Sequence, residues 1–150
     1  MNPILVNPIG VVRSEAKNPV DEGWGDVVSA IELAPWLAGA LDGLEGFSHA
    51  LIIAWLHQSP PPTGNRRHPR GRDDLPAVGI LAQRARHRPN PIAVTAVKVV
   101  EVGPTRLVVR GLDAIDGTPV LDIKPYFPIY DRRDATTPSW VDELMKGYFG

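Results

Sequence analysis

Residues 93–112 read AVTAVKVVEVGPTRLVVRGL. Two runs rich in β-branched residues flank GPT at 103–105, a connection of hairpin length, so residues 91–102 and 106–115 are expected to pair as an antiparallel hairpin. Working outward, five further stretches are rich in Val, Ile and Leu and bounded by Gly or Pro: residues 4–14, 25–33, 48–57, 77–85 and 118–126. With no helices alternating between them, seven short strands predict a mainly all-β chain. The architecture expected is a small antiparallel β-barrel or a sandwich; closure into a barrel removes exposed edges.

Sixteen prolines and fourteen glycines in 150 residues suit short strands joined by tight turns. The length predicts one domain over 1–150, able to bury about two thirds of its unfolded surface without staples. The absence of cysteine removes disulfides, thiolate nucleophiles and sulfur-ligated metal sites, and suits a reducing cytoplasm. No apolar run approaches the roughly 18 residues of a membrane span, and MNPILVNPIGVVRS lacks the order of an export signal. A cytoplasmic chain with no membrane partner is expected.

Two helices are expected as well. Leu33, Trp36, Leu37 and Leu41 stand at helical spacing in LAPWLAGALDGLEGF, and near the carboxyl end Ser139 is placed to cap a helix that stops at Gly147. The long segment 57–74, HQSPPPTGNRRHPRGRDD, reads as irregular, and a loop of that length in a compact domain is functional or disordered. Residues 130–138 read as a surface connection.

The formal charge is only -1, yet seven of the twelve arginines fall between Arg66 and Arg88. A basic surface on an acidic body suits a polyanionic partner; solvation of a long loop is the plainer alternative. Within it RARHRPNPIAV (84–94) would place Arg84, Arg86 and Arg88 on one side if extended, with Pro89 and Pro91 fixing the amide of Asn90. Such an Asn could read a base edge, orient an amino group, or close a turn.

LDAIDGTPVLDIKPY (112–126) carries Asp113, Asp116 and Asp122 among apolar residues. Carboxylates at a core edge require donors, from backbone amides or from a ligand; a solvated turn is the alternative. The four histidines show no close metal-pair spacing, so no metal site is expected. Neither a nucleophile elbow, nor a dinucleotide fingerprint, nor a phosphate loop is present. Trp36, Trp55 and Trp140 sit in apolar patterns that suit core or interface, and Trp24, between glycines and acids, suits a loop where it stacks on a ring or pins the chain.

Taken together, PIGVVRS, DGLEGFSHALIIAWLHQ, VGILAQRARHRPNPIAVTAVKVVEV and LVVRGLDAIDGTPVLDIKPY resemble the TsaA-like family, over about residues 8–131. Its best-known members are tRNA adenine-N6 methyltransferases of the TrmO type, acting on threonylcarbamoyl-adenosine beside the anticodon. The resemblance implies a small antiparallel barrel with S-adenosyl-L-methionine as cofactor, a homodimer, and a cofactor site near the subunit interface. Matched motif by motif, it implies cofactor contacts at Glu22, Gly23 and Trp24, at His57 and Gln58, at Arg84 and Val94, and at Leu112, Asp113, Ala114, Ile115 and Asp116. Asn90, Asp116 and Asp122 are the candidates for orienting the acceptor amine. Arg66, Arg67, Arg70, Arg72, Arg86 and Arg88 are the candidates for tRNA phosphates. Here QRA stands at Gln83–Ala85 where the family often shows TRS, and Ala93 where glycine is usual. The chain also ends near the close of the barrel, where longer members continue into a further domain. A small-molecule methyltransferase and a non-catalytic RNA- or nucleotide-binding barrel are the alternative readings.

Overall fold

A computed structural model describes residues 1–150. Eight strands occur in order: β1 (Gly10–Arg13), β2 (Val28–Leu33), β3 (His49–Trp55), β4 (Arg66–Arg67), β5 (Val78–Gly79), β6 (Ile92–Val102), β7 (Arg106–Arg110) and β8 (Pro119–Pro125). Two α-helices follow, α1 (Pro128–Asp131) and α2 (Ser139–Met145). Six strands close into a barrel in the order β1-β2-β7-β6-β3-β8, with β1 paired to β8. All its pairings are antiparallel.

The β6–β7 hairpin forms as its alternation demands. Its register runs Lys98↔Arg110 and Val99↔Val109, then shifts so that Glu101 faces Val108 and Val100 is the extra residue. A second shift, between Ile53 and Ala54 of β3, leaves Leu121 as the extra residue on β8. Such bulges sharpen local twist, which is how so short a set of strands curls far enough to close.

Alternation decides what lies inside. Val12, Ile31, Ala50, Ile52, Val97, Leu107, Val109 and Val120 are buried and fill the barrel. Alanines at 50 and 54 leave room for the larger facing side chains. A six-stranded barrel is narrower than the eight-stranded kind whose interior side chains can just fill, so its lumen holds core and no ligand. Any binding site must therefore lie on a rim or an outer wall.

Several local expectations are corrected. The 33–47 stretch is not one α-helix but two short 3-10 turns, Pro35–Leu37 and Leu44–Gly46. Gly39 and Gly43 both take positive φ and interrupt any continuous helix. Residues 77–85 give only the two-residue β5, paired with β4 inside the loop expected to be irregular, and then a 3-10 turn at Ile80–Ala82. Helix α2 forms, but its N-cap is Pro138 and Ser139 makes no side-chain cap bond. The connection after β8 holds the single turn of α1. Trp36 is 75% exposed and so is not core, since the turn that carries it lies outside the barrel; an interface role is untouched by this. No helix is long and apolar enough to cross a membrane.

Candidate functional site at the barrel rim

One rim of the barrel gathers most of the residues singled out by sequence. Antiparallel pairing of β3 with β6 sets Trp55 opposite Ile92, so the exit of β3 (His57, Gln58) lies beside the entry of β6 (Asn90 to Val94). Pairing of β1 with β8 brings the turn at Asp116–Gly117 to the same end. There Gly117 takes φ of 82°, and a Cβ on it would stand 3.9 Å from His57 Nε2. His57 and the aspartate-bearing turn are therefore neighbours.

Beyond Arg110 the chain runs on irregularly alongside β6, and this places Asp113 at its edge. The Thr95 hydroxyl donates to Asp113 Oδ1 at 2.5 Å, and the Tyr148 hydroxyl donates to Asp113 Oδ2 at 2.6 Å. Thr95 is buried within the barrel wall, while Asp113 is half-buried. One residue before Thr95, the carbonyl of Val94 accepts from Arg84 Nη2 at 2.5 Å. The proline-braced bend and the aspartate-bearing stretch are thus joined through Val94 and Thr95. Around Asp113, Leu112, Ala114 and Ile115 are buried and make an apolar floor.

Asp116 is tied differently. Its Oδ1 accepts from the backbone N–H of Ser14 at 3.0 Å, and its Oδ2 accepts from Lys17 Nζ at 2.8 Å. The Lys17 bond first, and the Ser14 amide second, hold its carboxyl below the usual range. Asp122 lies on the outer wall in the same cross-strand row as Ile53 and Val94, where it accepts from the N–H of Ile123 at 2.9 Å and pairs with Lys124 at 2.9 Å. Asn90 is exposed, and its carbonyl accepts from the N–H of Ile92 at 2.7 Å.

The early loop reaches the rim through the end of the chain. The carbonyls of Gly147 and Tyr148 accept from the backbone N–H groups of Gly23 and Trp24 at 2.9 and 2.8 Å. Trp24 is only 3% exposed and its indole N–H donates to Val20 O at 3.0 Å, so the ring pins the loop and offers no face for stacking. Glu22 and Gly23 are exposed.

The arginines do not form a single row. Residues 84–91 are irregular, and Arg88 folds back to donate to the carbonyls of Gln83 and Ala85, bracing the bend. Arg66 donates to Ala77 O. Arg70 donates to Leu144 O at 2.6 Å, pairs with Asp21 at 3.4 Å, and lies over the Tyr148 ring. Arg72 is paired with Asp74 at 2.6 Å and Glu143 at 3.5 Å. Arg67 and Arg86 remain to supply positive potential. Burial first, then these two charges, lower the His87 pKa.

Sequence reasoning missed Thr95, Lys17 and Tyr148. Thr95 reads as one more residue of the β6 run, Lys17 lies outside every quoted stretch, and Tyr148 lies 35 residues from the carboxylate it binds. There are also two broad surface depressions, of about 760 and 860 Å³, one along β1 and β2 that adjoins the Asp116 turn through Ser14 and Ala16, the other around Phe47, His49 and Phe127. Both are open and lack the Asp113 cluster, so the rim remains the better-built site.

A family model described as the tRNA-methyltransferase O N-terminal domain matches residues 12–132. A protein of Methanothermobacter thermautotrophicus, named a "probable S-adenosyl-L-methionine-binding protein", is 41% identical over 132 residues, 85% of this chain and 93% of that protein. A "S-adenosyl-L-methionine-binding protein" of Archaeoglobus fulgidus is 34% identical over 140 residues, with the same two coverages of 85% and 93%. Among solved structures, the crystal structure of TrmO from Pseudomonas aeruginosa matches with a TM-score of 0.78 at 32% identity, covering 94% of this chain. This chain spans 64% of that structure's length.

Proposed function

The chain belongs to the tRNA-methyltransferase O N-terminal domain family, and from that premise we propose that it is an S-adenosyl-L-methionine-dependent methyltransferase, with the N6 nitrogen of threonylcarbamoyl-adenosine beside the anticodon of tRNA as acceptor. The observation that carries the reading is Asp113, a half-buried carboxylate held at the rim by Thr95 and Tyr148 and floored by apolar residues.

The residues fit the cofactor. A carboxylate offers about four acceptor positions, and two are used by Thr95 and Tyr148. The others can take hydroxyl or ammonium donors, while Leu112, Ala114 and Ile115 give a nucleoside an apolar surface. Glu22 and Gly23 on one side, and His57 and Gln58 on the other, complete the rim. When bound, S-adenosyl-L-methionine would supply an electrophilic methyl on a sulfonium for transfer to the amine nitrogen. What remains for the protein is alignment of the amine, whose proton passes to water at the exposed rim, and neither task needs a metal. Asn90, exposed at the entry of β6, orients the amine; Asp116 and Asp122 are already engaged by Lys17 and Lys124.

Arg67 and Arg86, with the exposed part of Arg66, supply the phosphate-binding charge. A tRNA substrate sets the reaction in the cytoplasm. The outer wall beside the site carries Trp55, Ile92 and Val94 at 37%, 42% and 41% exposure, in one patch by register. We take its partner to be a second copy, which would set the cofactor rim near the subunit interface. The test of substrate is mass spectrometry of bulk tRNA nucleosides from cells with and without the gene. Loss of the N6-methyl form of threonylcarbamoyl-adenosine is expected; an unchanged nucleoside profile refutes the tRNA reading.

A further inference from the structure

The carboxyl-terminal segment is bound to the barrel by more than helix packing. The carbonyls of Gly147 and Tyr148 accept from the N–H groups of Gly23 and Trp24, so backbone binds backbone at two successive residues. Gly25 is where the two backbones meet. A Cβ there would lie 1.5 Å from Phe149 O, so only glycine admits the tail at that point. Arg70 then closes over the outside. It donates to Leu144 O, pairs with Asp21 and covers the Tyr148 ring with its guanidinium 5.6 Å from the centroid. The hydroxyl that this packing delivers lands on Asp113 Oδ2 at 2.6 Å.

We infer that residues 144–149 form a strap belonging to the cofactor site, in which Tyr148 is a positioning residue that aims the Asp113 carboxylate. The inference rests on the S-adenosyl-L-methionine reading. Two donors on opposite oxygens, Thr95 from the barrel wall and Tyr148 from the strap, fix the plane of the carboxylate. With Thr95 alone the group could swing about its Cβ–Cγ bond, and its remaining acceptor positions would no longer be set. The tail also fixes the backbone of Gly23 and Trp24, so two parts of the rim separated by about ninety residues are held by one segment. Burial, and next the Asp113 charge, raise the Tyr148 hydroxyl pKa far above its ordinary value, so it stays a donor well beyond the pH at which a free tyrosine ionises.

The experiment is calorimetry of S-adenosyl-L-methionine with the full chain, Tyr148→Phe, Asp113→Asn and the double variant, each with its melting temperature. Tyr148→Phe keeps the ring under Arg70 and removes only the hydroxyl. The expectation is about tenfold weaker binding by Tyr148→Phe, and no further weakening when it is added to Asp113→Asn. A purely structural role would lower melting temperature and leave affinity alone. Unchanged affinity in Tyr148→Phe, with the wild type binding, overturns the strap and leaves the methyltransferase reading standing; a wild type that does not bind overturns both. A second measurement needs no variant. Lys146 is exposed at the start of the strap, and trypsin cleavage after it in the wild type should slow several-fold at saturating cofactor. An unchanged cleavage rate contradicts the inference.

Discussion

Thr95→Val tests whether the barrel wall holds the site's carboxylate. The substitution is nearly isosteric and replaces a hydroxyl with a methyl at a position only 9% exposed, so packing changes little. What is lost is the hydrogen bond to Asp113 Oδ1. A hydrogen bond to a charged group contributes about 1.5–3 kcal/mol. Because Asp113 is half-buried, water can re-solvate part of the abandoned oxygen, which brings the expected loss to about 1–2 kcal/mol. For a chain of this size that lowers the melting temperature by about 2–8 °C. Urea unfolding should show a lower midpoint at unchanged slope, since the surface exposed on unfolding is the same. Cofactor affinity should fall with it. An unchanged midpoint would mean the Thr95–Asp113 bond contributes nothing net, and the picture of a carboxylate clamped between wall and strap would fail.

Gly25→Ala should displace the strap, because the new Cβ would sit on Phe149 O; faster proteolysis of the last residues and a lower melting temperature are expected, and a variant as protease-resistant as wild type would refute the close approach. Lys17→Met removes the main cause of the lowered Asp116 pKa. A carboxylate with a depressed folded-state pKa adds stability above its unfolded pKa of about 3.9 and loses it as pH falls through the folded value. The stability gap between wild type and Lys17→Met, followed by urea midpoint, should therefore be full at neutral pH and shrink below about pH 4; a gap that does not vary with pH would count against the pairing. Arg67→Ala and Arg86→Ala should each weaken tRNA binding and reduce the slope of log affinity against log salt by about one, whereas Arg72→Ala, already neutralised by Asp74 and Glu143, should barely change it.

The barrel was legible because alternation is a local signal. The β6–β7 hairpin, β2, β3 and β8 all announce themselves by β-branched runs ended by Gly or Pro, and each pairs within the barrel. The 33–47 stretch misled for an equally physical reason: Leu33, Trp36, Leu37 and Leu41 have helical spacing, but glycines with positive φ stop each turn. For the rim, the residues of the RPNP bend and of the LDAIDGTP block could be picked out as chemistry-bearing, and the structure links them through Val94 and Thr95. What the sequence does not display is partnership at long range. Asp74, two residues from Arg72, is a visible partner, but nothing near either arginine marks Arg70 for Asp21 and Leu144 or Arg72 for Glu143, so charge density alone overstated how many arginines face outward. Tyr148 was equally hidden, since its partner lies across the fold and the helix that precedes it looks like ordinary scaffold.

The most direct test of the rim as the cofactor site is amide hydrogen exchange of the wild-type chain with and without S-adenosyl-L-methionine. The account predicts slowed exchange at residues 22–24, 57–58, 94–95 and 112–116, with no change around Phe47, His49 and Phe127 at the opposite end of β3. Slowing confined to that opposite end, or none anywhere at saturating cofactor, would contradict it.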